Sequence, residues 1–162
     1  MKLGYIQEDQ NRNSENTRTR IWLRLFRVEQ SRGGVLGKFA KLIRVLIFDK
    51  YGIDITCDTI IGPGLRMPHL QGIVVSRYAQ IGRNCTIYHH VTIGANDPHG
   101  IEAPKIGDDV YIGCGAKIIG NIQIGNNVRI GANTVVTKDV LSDSTVVGIN
   151  RIIDRKEICE HE

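Results

Sequence analysis

Aliphatic residues return every six positions through the second half of the chain, at Ile106, Ile112, Ile118, Ile124, Ile130 and Val136. Glycine often follows directly, as in Ile81-Gly82, Ile93-Gly94, Ile106-Gly107, Ile112-Gly113, Ile124-Gly125 and Ile130-Gly131. Six matches neither the 3.6 of a helix nor the alternation of two in a strand, so the unit is a short extended segment plus a corner. The pattern predicts a mainly β solenoid. Small residues (Ala79, Cys85, Ala116, Thr134) stand two positions before the next aliphatic residue, where a narrow interior leaves little room. The glycines, together with Asn84, Asn96, Asn121, Asn126, Asn127 and Asn133, are expected to supply left-handed backbone at the corners. A single coil is too thin to bury its own apolar side, so stability must come from stacking.

The first 50 residues follow other rules. Residues 1–16 are polar, Asn-rich and without period, and are expected to be disordered. Over residues 17–50, Leu23, Phe26, Leu36, Phe39, Leu42, Ile43, Leu46 and Ile47 recur at helical spacing, with an interruption at Gly33-Gly34. Two amphipathic helices are predicted there, placed to cover the open first coil. The solenoid is expected over residues 51–148, with a C-terminal tail over 149–162.

Charge sharpens this division. The 162 residues carry a formal +4, but residues 1–50 hold 11 Lys/Arg against 5 Asp/Glu, whereas the remainder holds 10 against 12. Arg18, Arg20, Arg24, Arg27, Lys38, Lys41 and Arg44 are therefore expected to meet an anionic membrane surface or a phosphorylated acceptor besides capping the coil. No aromatic stacking platform accompanies the charge, which argues against nucleic acid. No apolar run would span a bilayer and no signal peptide is evident, so the cytoplasm is the expected compartment. Cys57, Cys85, Cys114 and Cys159 are widely spaced, without a CxxC pair, and are expected to be buried small hydrophobes.

The period breaks twice within the solenoid. The first break lies between Met67 and Val75 and contains His69; the second lies between Ile93 and Ile106, where residues 96–104 must project outward and contain His99. Loops on a rigid scaffold commonly carry chemistry. Taken alone, His69 reads as a loop histidine and Asp54 as a turn-former. His89-His90 reads equally as a solvated or interface pair, and His161 lies near the terminus.

From about Gly52 to Ile153 the chain resembles the hexapeptide-repeat acyltransferases with a left-handed β-helix, and within them the serine O-acetyltransferase branch. The residues that carry the resemblance are Ile53-Asp54-Ile55, Ile61-Gly62-Pro63-Gly64, His69 with Gly72-Ile73-Val74-Val75, Val91-Thr92-Ile93-Gly94, Pro104-Lys105-Ile106-Gly107 and the run from Gly113 to Ile122. It implies acetyl transfer from acetyl-CoA to a hydroxyl group by direct attack in a ternary complex, in a homotrimer with sites between subunits. A hydroxyl needs a base to take its proton, and imidazole suits that task near neutral pH. By its match to the motif, His69 is implied as the base and Asp54 as the carboxylate that orients it. Acetyl-CoA is implied to contact Gly115, Ala116, Gly131, Ala132 and Lys138, with an oxyanion donor near Gly115 or Ala116. No metal is expected.

The acceptor is where the chain departs from that branch. The acid that precedes the base in the family is Pro68 here, and its Arg-His pair before Pro-Lys-Ile is Glu102-Ala103. A serine carboxylate would lose its cation, and the large helical N-terminal domain of serine acetyltransferases is also missing. In layout the chain resembles the short O-acetyltransferases of surface-polysaccharide biosynthesis. A small or lipid-linked sugar hydroxyl is therefore the expected acceptor, with His89 and His90 as sugar-binding residues, and serine as the alternative. A zinc enzyme resembling the gamma-class carbonic anhydrases and a purely structural role are the remaining alternatives.

Overall fold

The computed structural model describes residues 3–31, 34–96 and 101–154. The repeat forms short strands on three faces of a left-handed parallel β-helix. The first face stacks β1 (Asp54–Ile55), β3 (Val74–Val75), β6 (Thr92–Gly94), β9 (Lys117–Ile119) and β12 (Val135–Val136). The second stacks β2 (Ile60–Ile61), β4 (Gln80–Ile81), β7 (Lys105–Ile106) and β10 (Gln123–Ile124); the third stacks β5 (Thr86–Ile87), β8 (Tyr111–Ile112), β11 (Arg129–Ile130), β13 (Ser144–Val147) and β14 (Arg151–Asp154). The six aliphatic residues from Ile106 to Val136 that set the period are all buried, as are Ala79, Cys85, Ala116 and Thr134. The position two before the aliphatic is thus also buried, held by these small residues in some turns and by Val110, Ile122 and Val128 in others.

Register measures the breaks. Val74 pairs with Thr92 and Lys117 with Val135, a regular step of three repeat units per coil. Asp54 pairs with Val74 and Arg66 with Thr86, each a step longer than the regular one by two, so the first insertion enters between Arg66 and Val74. Lys105 pairs with Gln123 by the regular step, but Gln80 with Lys105 and Thr92 with Lys117 by one that is longer by seven, so the second insertion enters between Thr92 and Lys105. The first insertion holds His69. The second falls in the 96–104 segment expected to project; its residue His99 lies outside the described residues, as do His161 and Cys159.

The glycines act differently from the expectation. Left-handed backbone is taken by Asn84, Asn127 and Asn133 and by glycines such as Gly72 and Gly115, whereas the Ile-Gly glycines keep ordinary φ values. At Gly113 the close approach of the next coil requires glycine instead: a Cβ there would stand 2.7 Å from the Ala132 nitrogen and 2.8 Å from the Gly131 carbonyl carbon. Backbone cannot step aside there. Gly113→Ala is expected to cost about 1–3 kcal/mol in chemical unfolding. Gly4→Ala, with nothing within 4 Å in its helix, should be neutral or stabilising.

Three helices cover the first coil: α1 (Leu3–Arg12), α2 (Thr17–Ser31) and α3 (Val35–Phe48). The first corrects the expectation of disorder over residues 1–16. Its polar residues are tied to the solenoid, since Asp9 Oδ1 accepts from the Leu65 backbone N–H at 2.9 Å and Asn13 Nδ2 donates to the Leu65 carbonyl at 2.8 Å. Trp22, Leu23, Phe26 and Phe48 join the same core as Ile55, Ile61, Leu65 and Ile73. The basic residues divide. Arg27 and Arg44 turn inward, paired with Asp9 and Glu29, because a guanidinium can satisfy buried carbonyls and carboxylates at once.

Helix α3 also differs from its expected orientation. It buries Gly37, Ala40, Arg44 and Phe48, small residues among them letting it lie close to α2, and leaves Val35, Phe39, Leu42 and Leu46 exposed on the opposite side. At the far end of the solenoid, β14 runs antiparallel to β13 and covers the last edge of the third face. Cys85 is buried, and burial pushes its thiol up to about 11. Cys57 and Cys114 are only half-buried, against the expectation for them.

Candidate active site

His69 stands at the corner between the third and first faces, and the helices hold the strand that leads to it. Asn13 Oδ1 accepts from the Met67 N–H at 3.0 Å, Thr19 Oγ1 donates to the Met67 carbonyl at 2.8 Å, and Asn16 Nδ2 donates to the Pro68 carbonyl at 2.7 Å. Asn16 also caps α2, its Oδ1 accepting from the Thr19 N–H at 3.1 Å. One side chain thereby fixes both the helix start and the residue before His69. Beyond His69 the chain turns at Gly72 (φ 59°), whose N–H donates to the Tyr51 carbonyl at 2.8 Å. A Cβ at Gly72 would run into the His90 ring.

The exposed His69 imidazole lies edge-on to His89, with ring centroids 5.4 Å apart, and 6.3 Å from the Tyr88 ring. His89 in turn meets His90 at 5.3 Å. The buried Nδ1 of His89 has no hydrogen-bond partner among the described residues. Asp54 opens the first face one coil below, exposed, its N–H bonded to the Ile73 carbonyl. Among the described residues no hydrogen bond joins its carboxylate to His69, and no three His, Cys, Asp or Glu side chains converge as a metal-ligand set.

The same corner continues up the solenoid. The Gly115 N–H donates to the His89 carbonyl at 3.0 Å, and the Asn133 N–H to the Cys114 carbonyl at 2.8 Å, which stacks Gly115 and then Gly131 and Ala132 above the histidines. Lys117 Nζ donates to the His90 carbonyl at 2.8 Å. Gly115 is half-buried and Ala132 exposed, but the Ala116 side chain is buried in the core, so only its backbone faces outward. Lys138 is not brought to this corner. It follows β12 on the edge between the first and second faces.

Two cavities flank His69. One, of about 350 Å³, is lined by Glu15, Arg18, Tyr51, Pro68, His69 and Gln71 among others. The other, of about 420 Å³, is lined by Arg12, Asn13, Glu15, Asn16, Arg66 and His69 among others. The α1–α2 junction is therefore part of the site, which sequence reasoning missed. The signal was present as an Asn directly before a helical pattern, a capping signature hidden inside a polar stretch.

Comparison with known proteins places this geometry. The family model described as bacterial transferase hexapeptide (six repeats) matches residues 103–138. A serine acetyltransferase of Synechococcus elongatus is 44% identical over 109 residues, covering 66% of this chain and 45% of the relative. One from Staphylococcus aureus is 48% identical over 99 residues, covering 60% and 46%. The chain thus spans just under half the length of these curated relatives. Among solved structures, a soybean serine acetyltransferase superposes with a TM-score of 0.79 at 33% identity, covering 93% of this chain and 68% of that one. The soybean enzyme complexed with serine gives the same TM-score at 32% identity.

These relatives overturn the sugar acceptor expected from Pro68, Glu102 and Ala103, because the matching proteins are serine acetyltransferases. The loss of a cation at Glu102-Ala103 does not empty the surroundings of His69 of cations. Ala103 is packed in the core here, while cations at Arg18 and Arg66 line the cavities beside His69.

Proposed function

We infer that this chain, which belongs to the bacterial hexapeptide-repeat transferase family, transfers the acetyl group of acetyl-CoA to the hydroxyl of serine. The observation that carries the reading is its 44% and 48% identity to serine acetyltransferases over 109 and 99 residues. In the proposed reaction the serine hydroxyl attacks the thioester carbonyl as His69 takes its proton. The tetrahedral oxyanion collapses, the carbon–sulfur bond breaks, and the proton on His69 passes to the departing CoA thiolate. A corner amide near Gly115 is assigned to the oxyanion. Asp54 is assigned to orient the imidazole when substrates bind, and His89 and His90 to support His69 from the same corner.

The proposed acetyl-CoA contacts are Gly115, the Ala116 backbone, Gly131, Ala132 and Lys138. Lys138 stands on a different edge from His69, separated by the first face, and a site shared between two subunits would bring both kinds of edge to one molecule. That supports a homotrimer with shared sites. The exposed stripe on α3 supports assembly too. Val35, Phe39, Leu42 and Leu46 are spaced 4, 3 and 4 apart, the seam of a helix–helix contact, and we assign the stripe to subunits rather than to a membrane surface. No described helix is long and apolar enough to cross a membrane, and the proposal places the reaction in the cytoplasm.

The test is CoA-thiol release from acetyl-CoA with L-serine, with the product identified by mass. The expected result is O-acetylserine formed at a rate that depends on serine concentration. Absence of acetyl transfer to serine under conditions where the protein is folded would overturn the reading.

A further inference from the structure

Serine carries a carboxylate and an ammonium as well as its hydroxyl, and a partly desolvated site must pair both charges to hold the hydroxyl at the base. We propose that Arg18 and Glu15 form this amino-acid clamp, Arg18 taking the carboxylate and Glu15 the ammonium. The inference rests on the serine reading above and names the residues that would make that site specific.

Three observations converge on the pair. Both line the roughly 350 Å³ cavity that contains His69, alongside the polar Tyr51 and Gln71. Both are exposed, and among the described residues neither enters an ion pair, so their charges are uncommitted. They also flank Asn16, whose side chain grips the Pro68 carbonyl at 2.7 Å and accepts from Thr19. The same junction that sets His69 therefore sets the two charges relative to it. The neighbouring cations are differently placed: Arg12 donates to Thr86 Oγ1 at 3.3 Å, and Arg66 lines the other cavity. A guanidinium and a carboxylate three positions apart, at a cavity with a candidate base, match the two charges and the hydroxyl of a small hydroxy amino acid. A neutral sugar would leave both unpaired.

The experiment compares acceptors that lack one charge. Initial rates are measured for the wild type, Arg18→Gln, Glu15→Gln and Arg66→Gln with L-serine, L-serinamide and 3-hydroxypropionate, at saturating acetyl-CoA. Arg18→Gln is expected to raise KM for serine about 10- to 100-fold, the range for a lost hydrogen bond to a charged group. It should leave KM for serinamide and for acetyl-CoA unchanged. Glu15→Gln should raise KM for serine but not for 3-hydroxypropionate. Because both residues are exposed, thermal unfolding should be unaltered, which separates a binding loss from misfolding. Equal losses with serine and serinamide in Arg18→Gln, no loss at all, or a carboxylate-dependent loss confined to Arg66→Gln would each overturn the clamp while leaving serine acetylation standing. A wild-type protein that does not acetylate serine would overturn both.

Discussion

Replacing His69 with alanine is expected to lower kcat about 10²- to 10⁴-fold with serine, the usual worth of a positioned general base. A hydroxyl is too weak a nucleophile to attack a thioester without losing its proton during the attack, and no other described imidazole has the same placement. His89 is the nearest, with its ring 5.4 Å from His69, but it is half-buried and sits farther into the corner. The side chain of His69 is exposed, and its backbone is fixed through the Leu65, Met67 and Pro68 carbonyls rather than through the ring. The variant should therefore keep its fold and its unfolding midpoint. Activity within tenfold of wild type would move the base to another residue.

Arg27→Met is expected to destabilise the folded protein by about 3–5 kcal/mol, the cost of stranding a buried charge. Arg27 and Asp9 are 3% and 0% exposed, and all five donors of the guanidinium are used. Nε and Nη2 donate to Asp9 at 2.8 and 3.4 Å, Nη1 to Gln30 at 3.0 Å and the Ile61 carbonyl at 2.8 Å, and Nη2 to the Gly62 carbonyl at 2.6 Å. Removing them strands one carboxylate and two carbonyls where α1, α2 and the first coil meet. The double variant Asp9→Leu, Arg27→Met should recover only part of the loss, since the Leu65 N–H and the two carbonyls remain unpaired.

The pH dependence follows from Asp9. Burial is the larger influence on its carboxyl and holds it above the usual carboxylate range, against the pull of Arg27. A raised carboxyl favours the folded state in acid, below its unfolded value, and that contribution is lost as pH rises through the raised value. Without Arg27 the carboxyl rises further. The deficit of Arg27→Met should accordingly shrink toward acid pH in urea unfolding measured across pH. A deficit that stays constant or grows in acid would mean that the lost contacts, and not the stranded charge, dominate.

The sequence alone determined the solenoid, because stacking forces one repeated choice: the aliphatic residues from Ile106 to Val136 must all enter the same narrow interior. It also located both insertions, since anything added breaks that step, and register places one before Val74 and the other before Lys105. The reason for each Ile-Gly glycine was not legible. At Gly113 that reason is the backbone one coil away, beneath Ala132, a contact between successive turns of the solenoid that no local pattern records.

The tertiary structure decided the rest where partners lie far apart in sequence. A polar segment became α1 because Asp9 and Asn13 find Leu65 and Met67 in the first coil, beyond two intervening helices. Helical spacing announced α3 but could not say which side it buries, and close approach to α2 chose Gly37 and Ala40 over Phe39 and Leu46. The surroundings of His69 were likewise set by folding: capping the open coil brought Glu15, Asn16 and Arg18 to its side. An acceptor reading based on Glu102 and Ala103 weighed one stretch of chain, whereas Arg18 and Arg66, distant from it in sequence, bring cations to the cavities beside His69.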